Sequence, residues 1–298
     1  MDDSDPAARL TTRFPAKRAF ITGAASGLGR ALALEFARAG WRLGILDISS
    51  EGVESARSEL QAAGARLVSH YVGSVGSEPF VSASVADFAE RLGGLDVMIN
   101  DAGVAVAGPL EATSPDDWCW IVDTNLLGVV WGCRAALPLM RRAGAGIILN
   151  IASAAGFAAA PNMSAYNATK AAVISLSETL AAETGDSSIQ VSCAMPGFFR
   201  SHLVAGLRAP PAERAAARRL LEGSSHSASE AARAILAGVA DSRLYIVWPR
   251  EYRALWHMKR LAPLLFLKEA RKLTAAELAG PRQDDTQSGA APLEARAP

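Results

Sequence analysis

Short apolar runs rich in β-branched residues alternate along this chain with longer, alanine-rich amphipathic runs, and nothing else in the sequence restricts the fold as much. The apolar runs fall at 18–22, 42–47, 66–72, 95–100, 146–152, 189–195 and 244–248. Such a pattern is expected when parallel strands are joined by crossover helices. One helix is read from about Leu28 to a stop at Gly40. Another opens at Ser114-Pro115, where Ser caps and Pro fits the first turn, and runs through Cys119 to Arg142. No internal repeat and no composition break precedes residue 248, so residues 17–248 read as one doubly wound α/β domain with helices on both faces of a parallel sheet. Residues 1–16 read as a flexible N-terminus, 249–279 as a helical C-terminal extension, and 280–298, rich in Pro, Gly and charge, as a disordered tail.

Half of the 298 residues are apolar, enough for a substantial core, and 30 basic residues balance 30 acidic ones. A nucleic-acid partner is not expected from that balance, and small-molecule chemistry is. Cys119, Cys133 and Cys193 have neither metal-site spacing nor a disulfide framework. On one helix the first two would lie about 21 Å apart, beyond disulfide reach. No apolar run reaches the roughly 20 residues of a membrane span, and the polar N-terminus has no signal core, so a cytoplasmic protein is expected. The four histidines are scattered, with no metal-ligand spacing and no Gly-x-Ser-x-Gly elbow nearby, which argues against a metal site or a hydrolase.

The segment "ITGAASGLGRALALEF" joins the first strand to the first helix through Gly23, Gly27 and Gly29. Glycines there let the backbone turn tightly and approach a ligand, while the helix N-terminus offers free N–H groups to a pyrophosphate. Asp47 ends the second strand, where a dinucleotide fold places an acid on the adenosine ribose. A carboxylate there repels a 2′-phosphate, so NAD is expected over NADP. Neither Ser26 nor Ile48 supplies a cation to reverse that preference, and Arg30 lies one turn into the helix.

"SAYNATKAAV" (164–173) places Tyr166 and Lys170 four residues apart in a helix-forming run, hence on one face. Ser153 follows the fifth strand, at the carboxyl edge where such folds bind ligands. Hydride transfer between an alcohol carbon and a nicotinamide needs a base for the hydroxyl proton, or an acid in reverse. A phenol titrates near 10, and a neighbouring ammonium should lower that value. Lys170 is therefore expected to tune Tyr166 and hold ribose hydroxyls, and Ser153 to hydrogen-bond the substrate oxygen.

Together "TGAASGLG" (22–29), "NDAG" (100–103), Asn125 in "DTNLLG", Ser153, "YNATK" (166–170) and "PG" (196–197) resemble, in order and spacing, the single-domain short-chain dehydrogenase/reductase family. The resemblance spans roughly residues 17–248. It implies a seven-stranded Rossmann-type sheet, a nicotinamide cofactor, Tyr166 as acid/base, and Asn125 holding a water that links Lys170 to solvent. It assigns the cofactor to Gly23, Ser26, Gly27, Leu28, Gly29, Asp47, Ile48, Ser74, Val75, Asn100, Ala102, Gly103, Pro196, Gly197 and Ser201, besides Tyr166 and Lys170. It also implies a homodimer or homotetramer built on the helices carrying Asn125 and Tyr166. Two positions depart from the family pattern: Asp101 replaces a usual Asn, and Ser74 replaces an Asp that contacts adenine in many relatives.

Beyond Gly197, "FFRSHLVAGLRAPPAERAAARRLLEG" is expected to form a mobile flap over the substrate. Phe157, Met163, Phe198, Phe199 and the loop "GVAVAG" (103–108) would line the pocket, and the lack of charge among them favours an apolar alcohol or ketone. The extension at 249–279 mixes Trp256 and leucines with arginines and lysines. A basic amphipathic helix of that kind can lie on an anionic membrane. Packing on a subunit or over the active site is the favoured use here. A catalytically silent dinucleotide-binding regulator is the alternative to an enzyme, but nothing in that role requires Ser153, Tyr166 and Lys170 together.

Overall fold

The computed structural model describes residues 6–269. The seven apolar runs form one sheet: β1 Arg18–Thr22, β2 Arg42–Asp47, β3 Leu67–Val72, β4 Val97–Asn100, β5 Ala145–Ile151, β6 Ser188–Pro196 and β7 Tyr245–Trp248. Every neighbouring pair is parallel, in the order β3-β2-β1-β4-β5-β6-β7. The order reverses between β1 and β4, which opens a crevice at their carboxyl ends.

The helices are α1 Pro6–Arg13, α2 Gly27–Arg38, α3 Ser50–Ala62, α4 Glu78–Leu92, α5 Pro115–Val122, α6 Gly128–Ala143, α7 Ala155–Ala158, α8 Ser164–Glu183, α9 Pro211–Glu222, α10 Ala228–Ala240 and α11 Glu251–Leu261. Because side chains alternate along a strand, each strand feeds two cores. Ile21, Ile99 and Ile147 pack with Leu32 and Phe36 of α2, Leu60 of α3 and Ile235 of α10. Phe20, Met98 and Ile148 pack on the opposite face with Phe88 of α4, Met140 of α6 and Val173 of α8.

Two expectations change, and a third falls partly outside the described residues. Residues 6–13 are not flexible: Ala7, Leu10 and Phe14, three and four apart, are buried, and Thr11 accepts a hydrogen bond from the Trp41 indole at 3.2 Å. The helix expected from Ser114 to Arg142 does run without a break in the chain's coiling, but a π turn at Asp123–Leu127 separates α5 from α6. The C-terminal extension is helical over 251–261 and again over 263–269; residues 270–279 of the expected helix, and the expected disordered tail, lie outside the described residues.

Candidate active site

The glycine turn is as tight as its sequence requires. Gly23 has φ +71°, and a Cβ on it would come within 2.7 Å of the Ala102 backbone. Gly29 has no unusual φ, but a Cβ there would strike the Gly23 carbonyl and lie 2.7 Å from Asp101 Oδ2. Gly27, with φ +55°, faces open space. Ser26 is exposed at the N-cap of α2 with no capping hydrogen bond, while the Leu28 side chain is buried, so Leu28 has only backbone to offer a ligand. The cradle thus leaves the N-terminal amides of α2 facing an open groove, which fits a pyrophosphate.

Asp47 stands at the end of β2 and accepts hydrogen bonds from Ala25 N and Ser49 N, each at 3.1 Å. Ile48 is exposed beside it. Arg30 turns onto α3, bonding Glu59 at 2.6 Å and Ser55 at 3.1 Å, so its charge is already matched. Ser74 is exposed and accepts from Gly76 N, whereas Val75 is turned inward against Gly128. Ala102 seals the back of the cradle, its N–H bonded to Thr22 Oγ1. Gly103 lies between Asn125 and Lys170: a Cβ there would be 3.4 Å from Asn125 Oδ1 and 3.5 Å from Lys170 Nζ.

Asn100 is a correction. Its side chain points away from this groove, donating to Asn150 Oδ1 at 2.8 Å and lying against Gly132 of α6. Asn150 in turn donates to Ser177 Oγ at 3.0 Å, so this asparagine belongs to a buried polar chain that ties β4, β5 and α8. Asp101 does more than close a turn. Its carboxylate accepts the Gly29 N–H, and burial raises its pKa while Lys170 holds it down and Asp47 raises it.

On α8, Tyr166, Thr169, Lys170 and Val173 form the buried face. Lys170 Nζ donates to the Ile151 carbonyl at 2.9 Å and sits 5.8 Å from the centre of the Tyr166 ring. Ser153 Oγ accepts the Ala155 N–H at 3.1 Å and hydrogen-bonds the Tyr166 phenol. The expected direction of tuning is reversed. Burial pushes the Tyr166 phenol up to about 12, Ser153 opposing and Asp101 reinforcing the rise, and burial pulls Lys170 down. Asn125 is fully buried in the π turn, and its side chain is spent on Val104 N at 2.8 Å and Val104 O at 2.9 Å. It therefore clamps the loop after Gly103 and does not touch Lys170 through its side chain.

The Tyr166 ring belongs to a small apolar cluster with Ala105, Val106, Ala107, Ile121 and Leu207, edged by Val104, Met163 and Leu203. Met163 and residues 104–107 of the loop thus border the Tyr166 ring. Phe157 and Phe199 do not: Phe157 packs edge-on against Trp256, ring centres 5.1 Å apart, and Phe199 packs on Trp248 with the α2 and α10 core. Phe198 is exposed. Pro196 receives the Ala154 N–H, and Gly197, lying against the Tyr252 ring, donates to the Trp248 carbonyl at 2.7 Å. Ser201 is half-buried in the flap just past Arg200, which bridges Ser227.

The flap also carries two residues that the sequence reading did not single out. Leu207 enters the Tyr166 cluster, and Arg208 clips the flap to the facing loop. Arg208 N donates to Ala105 O and Ala107 N donates to Arg208 O, its guanidinium bonds Asp117 at 2.9 Å, and it stacks 3.6 Å from the Trp120 ring centre. The leucine spacing at 203 and 207 is the only sequence signal for this; a lone arginine carries none.

Known proteins share this arrangement. A short chain dehydrogenase family model matches residues 17–212. A 2-(R)-hydroxypropyl-CoM dehydrogenase from Xanthobacter autotrophicus is 37% identical over 186 residues, 61% of this chain and 74% of that protein. The crystal structure of a short-chain dehydrogenase/reductase from Burkholderia phymatum in complex with NAD superposes with a TM-score of 0.77 at 29% identity, covering 86% of this chain and 94% of the other. An alcohol dehydrogenase from the archaeon Thermococcus sibiricus, complexed with 5-hydroxy-NADP, gives 0.68 at 26% identity over 79% and 97%. With the parallel sheet, the glycine cradle and the Ser153, Tyr166 and Lys170 group brought to one edge, the matching sequence model places this chain in the short-chain dehydrogenase/reductase family.

Proposed function

We propose that the protein is a cytoplasmic, NAD-preferring oxidoreductase that interconverts an apolar secondary alcohol and its ketone, with Tyr166 as the acid/base. Members of its family are nicotinamide-dependent alcohol and ketone oxidoreductases. The observation that carries the reading is the Tyr166 phenol, hydrogen-bonded to Ser153 and walled by apolar side chains at the same sheet edge as the glycine cradle. Assembly as a dimer or tetramer through the helices carrying Asn125 and Tyr166 belongs to the same proposal, and mass in solution checks it.

The cofactor, when bound, supplies or accepts the hydride. In the reductive direction a neutral Tyr166 donates its proton to the forming alkoxide. Ser153, held in place by the Ala155 N–H, shares its hydroxyl proton with the phenol and is placed to turn it onto the substrate oxygen. Lys170, anchored on Ile151 O beside Gly103, would hold a ribose hydroxyl of the cofactor. Val106, Met163 and Leu207 exclude water from the phenol.

NAD preference rests on Asp47 and on the commitment of Arg30 to Glu59. A panel of secondary alcohols and ketones, read by the absorbance of the reduced nicotinamide, tests both claims. We expect kcat/KM for NAD(H) to exceed that for NADP(H) by about tenfold or more, equivalent to about 1.4 kcal/mol, and Asp47→Asn to narrow the gap. Equal values in the parent would refute the role of Asp47. Tight cofactor binding with no turnover of any alcohol or ketone would leave the silent regulator standing.

Asp101 gives a pH prediction. Its negative field raises the phenol pKa, so Asp101→Asn should lower it. Alcohol oxidation needs the phenolate, and its rate therefore climbs with pH; that climb should begin at lower pH in the variant. An unmoved profile would mean that the carboxylate does not act on Tyr166.

A further inference from the structure

Five of the nine large hydrophobic side chains exposed among the described residues lie in one short segment at the C-terminal end: Met258, Leu261, Leu264, Leu265 and Leu267. The segment is bent. Helix α11 packs inward through Trp256, against Phe157 and Tyr245, and ends where Ala262 adopts φ −140°, ψ 65°. The helix over 263–269 is anchored through Phe266, which is 3% exposed and lies beneath Lys259.

At about 100° per residue, positions 264 and 268 point opposite to Phe266 while 265 and 267 flank it. Polar residues belong on the outward side of a helix facing water. Here that side carries Leu264, 82% exposed, with Leu265 beside it and Leu261, 85% exposed, at the bend. The same stretch, 250–269, carries Arg250, Arg253, Lys259, Arg260 and Lys268 against Glu251 and Glu269, in a chain whose total charge is zero. Arg260 is shared with Glu178, while Arg250 and Lys268 are exposed.

The apolar face alone would not name its occupant; the cations around it do. A second copy related by a two-fold axis would set the patch against itself, with like charges opposed. A lipid surface with anionic headgroups satisfies both features at once: the leucines enter the acyl boundary and the long basic side chains reach up to the phosphates. We infer that residues 251–269 dock the protein, without spanning, on an anionic lipid surface. Among the described residues no helix is long and apolar enough to cross a membrane, and docking of this kind needs none.

The test uses the full chain, sedimented with vesicles of phosphatidylcholine alone or mixed with phosphatidylglycerol. Binding to the anionic vesicles is expected to be at least about tenfold tighter than to neutral ones, to weaken with added salt, and to fall about tenfold in the triple variant Leu261→Ser, Leu264→Ser, Leu265→Ser. These leucines are exposed, so thermal midpoint and turnover should be unchanged, which separates this outcome from any failure of the catalytic proposal. Absent binding, equal binding to both vesicle types, or binding that survives the triple substitution would overturn the inference. So would a variant whose only change is a smaller mass in solution, since the face would then join copies of the chain.

Discussion

Tyr166→Phe is expected to lower turnover by about 10²- to 10⁴-fold, the range over which general acid–base groups act, with the fold and cofactor affinity preserved. The substitution removes one oxygen from a ring that keeps its contacts with Val106 and Leu207. What disappears is the phenol proton itself, along with the oxygen that Ser153 hydrogen-bonds. The two directions of the parent reaction should also differ in pH dependence. With the phenol near 12, only about one in 10⁵ is ionised at pH 7, so the acid needed for ketone reduction is in place across the neutral range, whereas alcohol oxidation should gain steadily with pH. Steady-state rates in both directions check this, and undiminished turnover by the Phe variant would assign the acid/base elsewhere.

Gly29→Ala is expected to weaken cofactor binding by about 10²-fold and to destabilise the fold by about 1–3 kcal/mol. The added methyl would meet the Gly23 carbonyl, which is backbone, and Asp101 Oδ2 at 2.7 Å. The carbonyl cannot yield without moving the cradle. Gly27 offers the contrast: a methyl there meets nothing, and its cost is the left-handed backbone alone, about 1 kcal/mol. Calorimetric titration with NAD and thermal melting of the two variants separate the effects. A Gly29 variant that binds as the parent does would mean that the turn is not the cofactor's cradle.

The strands and the order of motifs were legible because both are local: a β-branched run bounded by turn residues reads the same in any context. Depth is not local. Phe157 and Phe199 are apolar residues next to site motifs, and only the packing distinguishes a pocket wall from a core partner of Trp256 or Trp248. Asn100 misleads for the same reason, since its side chain turns toward Asn150 and α6. Helix α1 was hidden because its two buried residues, Ala7 and Leu10, stand among polar ones. The direction of the Tyr166 shift was missed because desolvation sums over every neighbour, and the Tyr–Lys spacing shows just one of them.

The clip between Arg208 and the 105–107 loop places Leu207 beside the phenol. Displacing Leu207 would therefore wet Tyr166 and relax its acidity toward that of free tyrosine. The surface ion pair of Arg208 with Asp117 and the dryness of the phenol are thus linked through two adjacent residues, 207 and 208.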